Sequence, residues 1–250
     1  MRAVERTQNG AVLNLSINRA DKRNAVDHHV LKEMSSALAY LETNADLRVG
    51  VLTGSGGHFC AGADLADRVA GNAIIDANGL AGLTRLSRTK PLICAVEGYA
   101  LGGGFEIALA CDIIVASETA RFGLPEVKRA VLAAEGGLHR TTTALGKSMA
   151  MYLALSGRTI DAARLFELGL VCELTPVGEA TNVATRLALE IAGHAPESVL
   201  ETRALIEAAA TVADELLWEK TESAYSRVRR SPNYRVGARA FLAKEPPQWR

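Results

Sequence analysis

The stretch "VEGYALGGGFEIALACDIIVAS", residues 96–117, holds a turn, a helix and a strand in quick succession. An apolar run, "PLICAVEG" (91–98), leads into it as a strand; "FEIALAC" (105–111) has helical character and "DIIVAS" (112–117) returns to strand. Between strand and helix stand Gly102, Gly103 and Gly104, followed two residues later by a lone carboxylate, Glu106, in apolar company. Glycines at such a turn let the main chain approach a ligand without Cβ interference. The first N–H groups of the helix have no internal partner and form a positive end that favours an anion or a developing oxyanion. Tight strand–helix packing accounts for the glycines equally well. It does not account for Glu106, because a buried carboxylate is costly without a partner or a task. Neither G-x-x-x-x-G-K-S/T nor a G-x-G-x-x-G after a strand is present, which weakens nucleotide-loop readings.

Working outward, "AVLNLSI" (11–17) alternates Leu13, Leu15 and Ile17 against Asn14 and Ser16, as a half-buried strand does. From Asp27, an N-cap residue type, Val30, Leu31, Met34, Leu38 and Leu41 recur at helical spacing. "VGVLTG" (49–54) is a further strand. Short apolar runs alternating with helices predict an α/β layer with buried, largely parallel strands. From Gly137 the character changes, and "GLHRTTTALGKSMAMYLALSG", "TIDAARLFELG", "EATNVATRLALEIAGHA", "PESVLETRALIEAAATVA" and "DELLWEKTESAYSRVRR" all read as helices. The expected organisation is an α/β core over residues 1–190 and a helical C-terminal region over 191–250, whose apolar positions include Leu216, Leu217 and Trp218.

The chain has 250 residues with 28 Lys plus Arg against 28 Asp plus Glu, which argues against partners recruited by bulk charge, such as nucleic acid or a membrane surface. Cys60, Cys94, Cys111 and Cys172 are widely spaced, and read as reduced core or near-core thiols of a cytosolic protein. The polar start "MRAVERTQNG" has neither an apolar signal segment nor a transit stretch, and no apolar run reaches membrane-spanning length. A cytoplasmic location is expected.

A second Gly-rich turn, "GSGGHFCAGADL" (54–65), ends in Ala61, Gly62, Ala63 and Asp64 at another strand-to-helix transition. Asp64 taken alone reads as a helix N-cap. Two such turns after neighbouring strands can aim two main-chain N–H groups at one point, which is an oxyanion hole. A third stretch, "FGLPEVKRA" (122–130), carries Glu126. Two carboxylates facing one substrate serve as general base and general acid when their surroundings set their pKa values apart. His58 and Cys60 lie two residues apart on one turn with no orienting partner, a poor match to a thiol nucleophile. His28, His29, His139 and His194 have no metal-ligand spacing.

Together, "HFCAGADL", "VEGYALGGGFEIALACDIIVAS", "FGLPEV" and Gly136–Gly137 resemble the enoyl-CoA hydratase/isomerase, or crotonase, superfamily, from the first strand to "ARAFLAKEPPQW" near the C-terminus. The resemblance implies ββα units spiralling into a core, then C-terminal helices that build trimers, often paired into hexamers. It also implies acyl-CoA thioester substrates and no redox or metal cofactor. By position it makes Ala63 and Gly103 the oxyanion-hole donors, with Gly102 beside them, and Glu106 and Glu126 the hydratase carboxylate pair. Main chain around Ala61, Asp64 and Leu65 would embrace the pantetheine and adenine. Lys22 and Arg23 in "NRADKRNAV" sit where basic residues lie near CoA phosphates, or are solvated surface charge. Phe241 and Lys244 fall in a segment that closes over CoA in relatives. The implied reaction is hydration of trans-2-enoyl-CoA to 3-hydroxyacyl-CoA. Enoyl-CoA isomerisation, dehydration of a functionalised acyl-CoA, and acyl-CoA binding without turnover are the alternatives. The chain departs from the family at Leu132, Ala133, Ala134 and Glu135, where relatives often have Pro and small residues; Glu135 reads either as solvent-facing or as a third acid near substrate.

Overall fold

A computed structural model describes residues 2–209 and scattered positions between 223 and 249. Leu216, Leu217, Trp218, Phe241 and Lys244 lie outside the described residues. In chain order the strands are β1 (Val4–Asn9), β2 (Val12–Ile17), β3 (Val49–Gly54), β4 (Ile75–Asp76), β5 (Gly79–Leu80), β6 (Leu92–Val96), β7 (Tyr99–Leu101), β8 (Ile113–Ser117), β9 (Arg121–Gly123), β10 (Thr159–Asp161) and β11 (Glu173–Thr175). The helices are α1 (His28–Thr43), α2 (Leu65–Val69), α3 (Gly103–Leu109), α4 (Gly137–Ser156), α5 (Ala162–Glu167), α6 (Ala180–Ala192) and α7 (Pro196–Ala209).

A six-stranded sheet runs in the order β1-β2-β3-β6-β8-β11, parallel except for the β1–β2 hairpin. Its central strands are buried on both faces, which is why they read as unbroken apolar runs. On one face α6 lays Ala180, Ala184, Ala188 and Ala192, spaced by single helical turns, against Val12, Val49, Val51, Ile93, Ala95 and Val115. Small side chains let this helix approach the sheet closely. The other face packs Leu13, Leu15, Ile17, Leu52, Cys94 and Val96 with Val30, Met34, Leu38 and Leu41 of α1. The Asp27 carboxylate caps α1 by accepting from the Val30 amide at 2.8 Å.

The second layer is a small sheet, β10-β9-β7, extended by single parallel bridges between Cys60 and Ala100 and between Val26 and Ala63. Each turn of the chain contributes a long strand to the large sheet, a short one here, and then a helix: β6–β7–α3, then β8–β9–α4. This is the ββα spiral that the motifs imply. Phe105 and Phe122 fill the space between, in an edge-on pair with ring centroids 5.4 Å apart.

Four details differ from the sequence reading. "TIDAARLFELG" begins as strand β10, and only Ala162–Glu167 is helical, with Asp161 capping it through the Arg164 amide. The polar N-terminal segment forms edge strand β1, its residues after Val4 all exposed. Helix α4 is interrupted at Gly146, whose φ of 77° breaks the turn. Cys60 and Cys94 are buried, but Cys172 is exposed, so it is no core thiol. Among the described residues no helix is long and apolar enough to cross a membrane.

Helix α7 is fastened to the core by ions. Asp112 receives Arg88 Nη1 at 2.6 Å and Arg203 Nε at 3.0 Å, and Arg203 Nη1 donates to the Arg88 carbonyl at 2.6 Å. Arg88 is only 7 % exposed. Burial opposes the charge on Asp112, yet the hydrogen bonds and charge of Arg88 hold its carboxyl below the ordinary value.

Candidate active site

The two Gly-rich turns meet. β7 pairs with the segment around Cys60, which accepts the Leu101 amide at 3.0 Å, so the chain leaves β7 directly against residues 60–63. Gly102 caps α3 with φ 55° and ψ −125°, a conformation open to glycine alone, and Gly103 is the first helical residue. A Cβ on Gly103 would lie 3.5 Å from the Ala63 amide nitrogen and 2.4 Å from Leu80 Cδ2. A Cβ on Gly62 would lie 3.0 Å from the Gly103 nitrogen. The neighbours of Ala63 are committed elsewhere: Val26 donates to the Gly62 carbonyl and accepts from the Asp64 amide, each at 2.8 Å. The Ala63 and Gly103 amides have no acceptor among the described residues. Two unpaired N–H donors therefore stand side by side at the positive end of α3.

Glu106 lies one helical turn in and is 4 % exposed. Its Oε1 accepts from the Glu135 amide at 2.7 Å and the Gly137 amide at 2.9 Å. Burial pushes its pKa above the ordinary value, helped by the Glu135 charge, while the two amides oppose the shift. Glu126 opens the short 3-10 turn Glu126–Arg129 after Pro125. Its Oε1 is 3.1 Å from where a Gly102 Cβ would sit, and its buried Oε2 has no hydrogen-bond partner among the described residues. Burial first, then the charge of Glu106, raises its carboxyl from 4.5 to about 7. Ala63, Gly102, Gly103, Glu106 and Glu126 are thus gathered around one point by three separate segments: the turn before α2, α3 with its cap, and the 3-10 turn.

The remaining predicted contacts flank this point. The Ala61 amide donates to the Arg23 carbonyl at 3.0 Å, which places exposed Lys22 and Arg23 beside it. The Asp64 carboxylate caps α2 through the Ala66 amide and pairs with Arg19 at 3.0 Å, so its side chain is occupied within the chain. Leu65 is exposed. The His58–Cys60 alternative fails on geometry: His58 stacks on Tyr99, and burial pushes the Cys60 thiol up to about 12.

Glu135 is the largest correction. It is 8 % exposed, not solvent-facing, and both carboxylate oxygens are engaged. Arg85 binds Oε1, while Thr84 Oγ1 at 2.9 Å and the Leu80 amide at 3.2 Å bind Oε2. Leu80, Thr84 and Arg85 carry no signal in the sequence, because residues 66–88 follow no regular period.

The sequence and the fold have counterparts. A profile of the enoyl-CoA hydratase/isomerase family matches residues 7–250. A mevalonyl-coenzyme A hydratase of Aspergillus fumigatus is 38% identical over 254 residues, covering 96% of this chain and 91% of that protein. A probable enoyl-CoA hydratase of Mycobacterium tuberculosis is 36% identical, covering 98% and 96%. The crystal structure of an enoyl-CoA hydratase from Mycobacterium tuberculosis H37Rv superposes with a TM-score of 0.98 at 38% identity, over 100% of this chain and 99% of that one. With paired glutamates and paired amides set in the same ββα spiral, this chain belongs to the enoyl-CoA hydratase/isomerase family.

Proposed function

We propose that the chain hydrates trans-2-enoyl-CoA thioesters to 3-hydroxyacyl-CoA. The observation that carries this reading is the convergence of one buried and one half-buried carboxylate on two main-chain amides unpaired among the described residues. The thioester carbonyl accepts from the Ala63 and Gly103 amides, which draws electron density from Cβ. Water adds at Cβ, and the charge that develops on the carbonyl oxygen as an enolate is held by the same donors. Each preorganised donor contributes roughly 3 kcal/mol to the transition state. Glu106, fed by two amides, takes the proton of the attacking water. Glu126, with its pKa near neutrality and a free oxygen, gives a proton to Cα. The two protons balance, and the reaction draws only on water, the thioester and these groups. The main chain of Ala61, Asp64 and Leu65 lies along the CoA path, with Lys22 and Arg23 near its phosphates.

The reading extends to assembly. Met151, Tyr152 and Leu155 of α4 are exposed, and a cavity of about 970 Å³ opens between the core and α7, lined among others by Leu86, Leu109, Ile113, Val199 and Ile206. Clustered exposed apolar side chains beside an open cavity mark surface that a partner can cover. We assign its covering to further copies, with the region after residue 190 building a trimer, or a hexamer made of two trimers, in the cytoplasm.

The test is turnover of a panel of enoyl-CoA esters, followed by loss of the thioester enone absorbance. Glu106→Gln and Glu126→Gln keep size while removing proton transfer, and each should lower turnover by at least about 10²-fold. CoA thioester binding should survive in both. Wild-type rates in either variant would remove that glutamate from the mechanism.

A further inference from the structure

We propose that Glu135 is a positioning residue for the hydration assigned above: its side chain fixes the segment beside the oxyanion donors while its main chain fixes Glu106. The inference rests on the hydratase reading. The Glu135 carboxylate is spent wholly on donors of its own chain, namely Arg85, Thr84 Oγ1 and the Leu80 amide. It is therefore not a third acid for substrate. The same residue's amide is the shorter of the two hydrogen bonds to Glu106 Oε1, at 2.7 Å. Its carbonyl accepts from Arg140 Nη1 at 3.3 Å, and Arg140 Nη2 reaches the Thr84 carbonyl at 2.7 Å, closing a ring between the two segments.

The far end of the clamp touches the oxyanion site. Leu80, whose amide is shared between Thr84 Oγ1 at 2.8 Å and Glu135 Oε2 at 3.2 Å, places Cδ2 where a side chain on Gly103 would be. The clamp is closely built: Gly79 has φ +84°, and a Cβ there would lie 2.2 Å from Thr84 Oγ1 and 2.9 Å from Glu135 Oε2. Loosening it moves the carboxylate and the wall of the oxyanion site together, and misplacement by about 1 Å can cost about 10²-fold in rate. Three charged groups bear on Glu106. Glu126 faces it from the 3-10 turn, Glu135 from the segment before α4, and Arg140 from α4 itself. Of these, Glu135 helps to raise the pKa of Glu106 and Arg140 lowers it.

Kinetics of the full chain with an enoyl-CoA that the wild type hydrates test the clamp. Glu135→Ala should lower kcat by about 10-fold or more, with KM little changed. Glu135→Gln, which keeps an oxygen for Thr84 and Leu80, should restore most of that loss. It should also move the acid limb of the kcat/KM profile to lower pH, because the negative neighbour of Glu106 is gone. If Glu135→Ala does not fold, Arg85→Gln, at a side chain 57% exposed, loosens the same clamp and should lower kcat in the same sense. A purely structural Glu135 would lower the melting temperature while leaving kcat per folded enzyme and the pH limb unmoved, and that result overturns the proposal. A wild type that hydrates no enoyl-CoA overturns the hydratase reading and this inference with it. Hydration by the wild type with unaltered variants overturns the role of Glu135 alone.

Discussion

At the scale of single residues, the three consecutive glycines have three different causes. Gly102 needs its left-handed φ of 55°. Gly104 has no room, since a Cβ would lie 2.1 Å from the Cys60 carbonyl oxygen. Gly103 has no left-handed φ, and a Cβ there would press on the Leu80 side-chain end that walls the oxyanion site, so the glycine spares that wall while presenting its N–H. Gly103→Pro removes that N–H at the first helical position, where proline is tolerated. It should lose about 10²–10³-fold in kcat, as for one oxyanion donor, while folding persists. Gly103→Ala keeps the N–H and should lose far less; equal kcat in the two variants would sink the assignment. On the proposed mechanism, Glu126 sets the pH dependence. A reaction needing one glutamate charged and the other protonated gives a bell-shaped profile for the pair. Its alkaline limb should fall near pH 7, the raised value of Glu126. The sign for stability is the same: a folded pKa raised from 4.5 to about 7 favours the native state at low pH, and that contribution is lost as pH rises through this window. Glu126→Gln should flatten that slope in pH-dependent urea unfolding. The glycines and Glu106 were legible because each breaks a local rule, whereas Glu126 was legible only through the family resemblance. Glu135 was not, because its burial depends on Leu80, 55 residues away in sequence.

At the scale of elements, what sequence pattern reveals depends on length. Helix α1, with its Asp27 cap and buried Val30, Met34, Leu38 and Leu41, was readable as written. The large-sheet strands β3 and β6 were readable as apolar runs. The small sheet was not: β7, β9 and β10 have three residues each, too few for a period of two to register. Yet this sheet sets the distance between the two turns, since Cys60 and Ala100 bridge within it. Gly104→Ala tests that spacing. Its Cβ meets the Cys60 main chain, not a flexible side chain, so α3 must move away from residues 60–63. The variant should lose about 1–3 kcal/mol in urea unfolding, as overpacking does, and activity along with it. A melting temperature and kcat both at wild-type values would mean that α3 is not seated as tightly as the geometry requires.

At the scale of the whole molecule, the core and α7 meet at a charge cluster built on buried Arg88, Arg88–Asp112–Arg203. Asp112 stands directly after α3 and its turn, takes the Leu92 amide at 2.7 Å, and holds α7 through Arg203. The same residue thus ties the strand before the catalytic turn, the helix that carries Glu106, and the helix that leads toward the proposed assembly region. Asp112→Ala leaves Arg88, 7 % exposed, as an uncompensated buried cation, and should cost about 3–5 kcal/mol in urea unfolding. It should also shift mass by light scattering toward smaller species at concentrations where the wild type is trimeric or larger. Arg203→Gln separates the two effects. It keeps the Arg88–Asp112 pair and removes only the grip on α7, so it should lose little core stability while still weakening assembly. If both variants keep the wild-type mass, α7 is held for assembly by something other than this cluster. If the wild type itself is monomeric at micromolar concentration, the exposed apolar faces of α4 and α7 are covered by no second copy, and the assembly reading falls.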